Sequence, residues 1–128
     1  MKLIKLPTIT DPRGKLTVIE RLPFDIKRVY YIHGVERGAE RGGHAHKALD
    51  RVLVALHGRV RVTGESGGMT TSVTLDSPEQ GVNVPPMTWL TLDKFSAGAI
   101  CMVLASAEYD AADYIRERAE FDSLSQAR

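Results

Sequence analysis

His44 and His46 are the side chains in this sequence whose types and spacing most directly offer chemistry. On a β-strand, residues two apart point to the same face, so both imidazoles would project together while Ala45 points away. An imidazole ordinarily titrates near about 6.5, so a converging pair can take and return protons at neutral pH, or bind a metal ion. The pair lies in the stretch Gly38-Ala39-Glu40-Arg41-Gly42-Gly43-His44-Ala45-His46-Lys47. His33 and His57 are the other histidines. Cys101, the single cysteine, sits in the apolar run Ala99 to Leu104 and reads as a buried thiol.

The elements that must position these groups are short strands. The runs Leu16–Glu20, Arg28–His33, Val52–Leu56, Arg59–Thr63, Thr70–Leu75, Gly81–Val84, Thr88–Leu92 and Ala99–Leu104 are rich in β-branched or aromatic residues. Gly, Pro, Asp or Ser bound them, and Asp11-Pro12-Arg13-Gly14 reads as a turn. Many short strands in a 128-residue chain predict one all-β domain over residues 1–128, a sandwich or barrel. The tail differs: Asp110 is a plausible N-cap for a helix running to Phe121, with acids early and arginines later, as the helix dipole favours. Ser123 to Arg128 reads as a fraying end.

Composition narrows the function classes. Seventeen basic side chains against sixteen acidic ones give a net charge of +1, which removes the electrostatic case for nucleic acid as a main partner. No apolar stretch approaches the roughly 20 residues of a membrane span, and the N-terminus has no signal-like apolar core. A cytoplasmic protein acting on a small or medium ligand is the expectation.

The frame around the histidines resembles the first motif of the cupin superfamily. Gly38 lies six positions before His44 and Gly58 twelve after His46. The motif's glutamate position holds Arg51, or Asp50 with spacing one shorter, and arginine cannot ligate a metal. A metal site normally has about three protein ligands, so the resemblance is to a cupin that lost its metal and kept two histidines for acid–base work.

Taken in order along nearly the whole chain, further segments are similar to one family. These are Asp11-Pro12-Arg13-Gly14, Lys27 to Ile32, Arg41-Gly42-Gly43-His44-Ala45-His46-Lys47, Pro85 to Trp89, Val103 to Ser106 and Tyr109 to Arg116. The family is the nucleotide-sugar 3,4-ketoisomerases, also called WxcM-like, acting on dTDP-4-keto-6-deoxyglucose. The resemblance implies a homodimeric, cupin-type jelly-roll barrel with one C-terminal α-helix, working without a metal or other cofactor. It implies that His44 and His46 shuttle a proton between C3 and C4 of a dTDP-linked 4-keto-6-deoxyhexose through an enediol. It also implies substrate contacts from Tyr30 and Tyr31 and from Arg13 and Arg41, arginine suiting a diphosphate or an enediolate.

Three positions depart from that family: Arg51 replaces the usual Gln, His33 an aromatic, and Leu90 a His or other polar group. Arg51 and His33 are therefore included among the expected substrate contacts. The alternatives are a non-catalytic sugar-nucleotide-binding cupin, and a metal-dependent cupin in which His33 or His57 reaches the pair. A 3,5-epimerase would be expected to use a different His/Tyr arrangement. Tyr109 to Arg116 reads as a helix start with structural value, and Trp89 as a core or interface aromatic.

Overall fold

The structure, a computed structural model, describes residues 1–126. In chain order the first strands are β1 (Lys2–Lys5), β2 (Thr8–Asp11), β3 (Gly14–Thr17), β4 (Arg28–Ile32), β5 (Arg41–His46) and β6 (Arg51–His57). They are followed by β7 (Val60–Ser66), β8 (Met69–Leu75), β9 (Gln80–Val84), β10 (Trp89–Asp93), β11 (Ile100–Ala105) and β12 (Tyr114–Ile115), then helix α1 (Arg118–Gln126). One five-stranded sheet has the order β1-β9-β6-β11-β4 and the other β12-β5-β10-β7-β8, with β2 and β3 a separate hairpin. All the pairings are antiparallel. The result is the all-β domain that the strand pattern predicts, arranged as the cupin-type jelly-roll barrel that the resemblance implies.

Alternation along β6 shows how the two faces are used. Leu53 and Ala55 join Val60, Val62, Val82, Leu90, Leu92, Cys101 and Val103 between the sheets. Val52 and Val54 point the other way and pack with Leu6 and Leu104 under the segment carrying Ile19, Leu22 and Phe24. A strand buried on both faces is a continuous apolar run in the sequence, which is how Val52–Leu56 reads. Each such Val or Leu contributes about 1.5–3 kcal/mol of hydrophobic stabilisation. Burial pushes the Cys101 thiol up to about 12, so it stays protonated as an inert core group.

The tail departs from expectation. Asp110 does cap, its carboxylate accepting from the Ala112 N–H at 3.0 Å, but the turn it opens is a single 3-10 turn over Ala111–Asp113. Tyr114 and Ile115 then pair with His46 and Ala45 as β12. An aromatic and a β-branched residue fit that half-buried pleat better than a helix face, and Ile115 becomes fully buried there. Helix α1 therefore starts seven residues later than an N-cap at Asp110 suggests, at Arg118. Its Phe121 packs with Ala45, Met87, Ile115 and Trp89 on the outer face of the second sheet. Of the expected fraying end, Ser123 to Gln126 form the last part of α1, and residues 127 and 128 lie outside the described residues. Among the described residues, no helix is long and apolar enough to cross a membrane.

Candidate active site

Strand β5 reaches the site through a bulge. Leu90 of β10 lies opposite His44 while its neighbour Thr91 lies opposite Gly42, so Gly43 is the extra residue. Gly42 and Gly43 have φ of 88° and 74°, in the left-handed region that side chains disfavour. A Cβ on Gly42 would also stand 2.7 Å from the Leu90 carbonyl oxygen. The two glycines are thus required by a local kink, and the kink sets the direction of His44 immediately after it.

The two imidazoles converge as their spacing predicts. Their ring centroids are 5.4 Å apart and the planes cross at 88°. Ala45 points to the opposite face, against Ile115 and Phe121. His46 is 2% exposed. Its Nδ1–H donates to Asp113 Oδ2 at 3.0 Å, which leaves Nε2 as the free lone pair. That Nε2 has no hydrogen-bond partner. Asp113 is held in turn by the backbone N–H groups of Ala48 (2.9 Å) and Leu49 (3.2 Å). The ring of Tyr114 packs against both histidines, with centroids 5.1 Å from His44 and 4.2 Å from His46. The Arg116 guanidinium sits 4.1 Å from the Tyr114 ring centroid.

Electrostatics depart from the ordinary imidazole value assumed from sequence. Burial, then the charge of Arg51, holds both His44 and His46 down to about 4. Both are therefore neutral bases at neutral pH rather than half-protonated groups.

His44 lines a cavity of about 420 Å³ together with Arg28, Tyr30, Tyr31, His33, Arg41 and Arg51. Leu53, Leu90, Leu92 and Val103 form its apolar wall and Tyr114 closes one side. Three arginines and no carboxylate line it. Tyr31 is exposed at the mouth and tilts against His33, with ring centroids 5.3 Å apart. Tyr30 is more buried, under the Arg28 guanidinium at 4.5 Å, and burial pushes its hydroxyl up.

Most of the expected contacts meet here, with two exceptions. Arg13 is on the β2–β3 hairpin, its side chain 90% exposed and paired with Asp11 at 2.7 Å, so within one chain it serves the turn. His46 does not line the cavity, because it sits behind the wall with Tyr114 packed on it. His33 and Leu90, the unusual positions, both face the cavity. His57 ends β6 elsewhere, and among the described residues no group of three or more His, Cys, Asp or Glu has the placement of a metal site.

Sequence reasoning missed Arg28, Asp113 and Tyr114. Arg28 was available from alternation, being two residues before Tyr30 on the same strand. Asp113 and Tyr114 were hidden by the helical reading of Tyr109 to Arg116. Trp89 took the structural part expected of it, packing on Phe121 at 5.5 Å.

Comparison with known proteins agrees along the whole chain. Residues 1–126 match the family described as FdtA: WxcM-like, C-terminal. A TDP-4-oxo-6-deoxy-α-D-glucose-3,4-oxoisomerase from Aneurinibacillus thermoaerophilus is 46% identical over 123 residues, covering 94% of this chain and 88% of that protein. The sugar 3,4-ketoisomerase QdtA from Thermoanaerobacterium thermosaccharolyticum, in complex with TDP, superposes with a TM-score of 0.96 at 38% identity, covering 99% and 95% of the two chains. The WlaRB TDP-quinovose 3,4-ketoisomerase from Campylobacter jejuni gives 0.89 at 40% identity, covering 94% and 95%. A strand bulge that aims His44 into an arginine-lined barrel, and a match from end to end in sequence and in fold, place this chain in the WxcM-like family of cupin-fold proteins.

Proposed function

We propose that this chain is a metal-independent isomerase that moves the keto group between C4 and C3 of a TDP-linked 4-keto-6-deoxyhexose. The observation that carries the reading is the cavity itself, with a neutral histidine on its wall, three arginines around it and no carboxylate. Such a lining favours a diphosphate over a neutral sugar, and the volume lies within the usual range for a small-ligand site.

The C3 proton is acidic because it neighbours the C4 ketone. A neutral imidazole takes it, the C3–H pair forms the C3–C4 double bond, and the ketone pair moves onto the C4 oxygen. Protonation of that oxygen gives the enediol; loss of the C3 hydroxyl proton with protonation of C4 completes the exchange. His44 and His46 divide the proton transfers, His44 from the cavity wall and His46 from behind it with its tautomer set by Asp113. Arg28 and Arg41 face the diphosphate, while Tyr31 with His33 offers a π surface at the mouth for the nucleotide base.

The protein acts in the cytoplasm and as a homodimer; both edge strands of the first sheet are open, β1 carrying the exposed Leu3 and β4 the exposed Val29, and the β2–β3 hairpin exposes Ile9 and Leu16. A monomer in sedimentation at micromolar concentration would remove the dimer. The decisive experiment is NMR of TDP-4-keto-6-deoxyglucose incubated with the protein in D2O. A 3-keto product carrying deuterium at C4 supports the reading. Unchanged substrate sinks it, and TDP binding without turnover would favour a sugar-nucleotide-binding cupin.

A further inference from the structure

Arg51 is a buried charge without an ion-pair partner. It is 1% exposed, and its Nε and Nη2 have no hydrogen-bond acceptor. Among the described residues it makes no ion pair, and the carboxylate of Asp113 is already committed to His46 and two backbone N–H groups. It shares the interior face of β6 with Leu53, on the floor of the cavity beside Tyr30 and His44. Removing a guanidinium from water costs several kcal/mol unless something answers its charge. The folded chain answers it only in part, through the Tyr30 hydroxyl and the field of the Asp113 carboxylate, and no carboxylate pairs with it directly.

Resting on the ketoisomerase reading, we propose that Arg51 is the catalytic oxyanion holder, its buried N–H groups bonding the oxygen on which negative charge develops as the enediolate forms. Arg41 is exposed at the rim and so is a poor candidate for that task. A diphosphate would have to shed all of its water to reach the floor, whereas the sugar oxygens at C3 and C4 lie next to the histidine that takes the proton. The charge serves twice. It adds to burial in keeping His44 and His46 unprotonated before the substrate arrives, and it is neutralised only as the C4 oxygen becomes anionic. The interaction is therefore stronger in the transition state than in the ground state, which is the condition for raising kcat. The step itself is unchanged: the proton goes to imidazole, the electron pair to oxygen, and no oxidant or reductant enters.

The test measures Arg51→Met and Arg51→Leu, neither of which keeps an N–H donor, for turnover of TDP-4-keto-6-deoxyglucose, deuterium exchange at C3, affinity for TDP and melting temperature. Expected are a kcat and an exchange rate lowered about 10²–10³-fold, TDP affinity within about threefold, and a melting temperature no lower than wild type. An arginine kept only for structure would lower the melting temperature and spare kcat. A folded variant with wild-type kcat, or one that loses TDP binding about tenfold with kcat intact, overturns the proposal. If the neutral variants do not fold, Arg51→Lys retains charge without the planar fork; at least about a tenfold loss of kcat is expected and an unchanged kcat refutes it. Wild-type protein that fails to turn over the sugar removes the ketoisomerase reading, whereas wild-type turnover with undiminished variants removes only this one.

Discussion

Replacing Asp113 by asparagine tests whether the histidine pair is organised by the tail. The carboxylate accepts three hydrogen bonds, from His46 Nδ1, Ala48 N and Leu49 N. An amide has one acceptor oxygen and one donating nitrogen, so it cannot replace both carboxylate oxygens. With its oxygen toward His46, the NH2 faces the Ala48 N–H, donor against donor. With its oxygen toward Ala48, the NH2 faces His46 Nδ1 and drives the imidazole to the opposite tautomer, with the proton on Nε2. The buried bond to His46 matters most for stability, and losing a charged acceptor there costs about 2 kcal/mol. At this chain length that lowers Tm by about 7 °C. Because the lone pair is then on the wrong nitrogen, kcat should fall about 10²–10⁴-fold while TDP affinity holds. Differential scanning calorimetry and steady-state kinetics measure the two losses. The 15N shifts of His46 report the tautomer, which a purely structural role for Asp113 would leave alone. Wild-type kcat with the Nδ1–H tautomer retained would refute the argument.

Other outcomes follow from the same geometry. His44→Asn and His46→Asn should each lower kcat at least about a hundredfold with little change in TDP binding, and wild-type rates in both would remove the proton-shuttle assignment. Both histidines titrate lower when folded (about 4) than when unfolded (about 6.5), so the unfolded chain takes up protons first on acidification. Their stabilising contribution is complete above about pH 6.5 and is lost as pH falls to about 4. Tm should drop across that window, less steeply in the double variant; parallel curves would show that the histidines are not the cause. Chelator-treated protein should keep full activity, and loss that one divalent ion restores would make this a metal-dependent cupin.

Local rules carried much of this protein into view from its residues alone. Strand runs bounded by glycine and proline announced the barrel, because alternation and turn chemistry are written over a few residues at a time. His44 and His46 share a face because a strand repeats every two residues, and no distant contact changes that. Tertiary structure decided what depends on separated segments. The stretch after Asp110 has good helix propensity, yet Tyr114 and Ile115 became a strand because β5 offered an open edge and a buried site for Ile115. That pairing delivers Asp113 to His46 across 67 residues of chain, a link no local pattern contains. Arg51 read as a family oddity, and only closure of the barrel made it a buried charge with unbonded N–H groups. Arg13 read as a substrate contact, and within one chain the hairpin pairs it with Asp11. Burial and the sum of nearby charges are properties of the packed molecule, so the acidity of the histidines and the sign of the cavity became fixed only there.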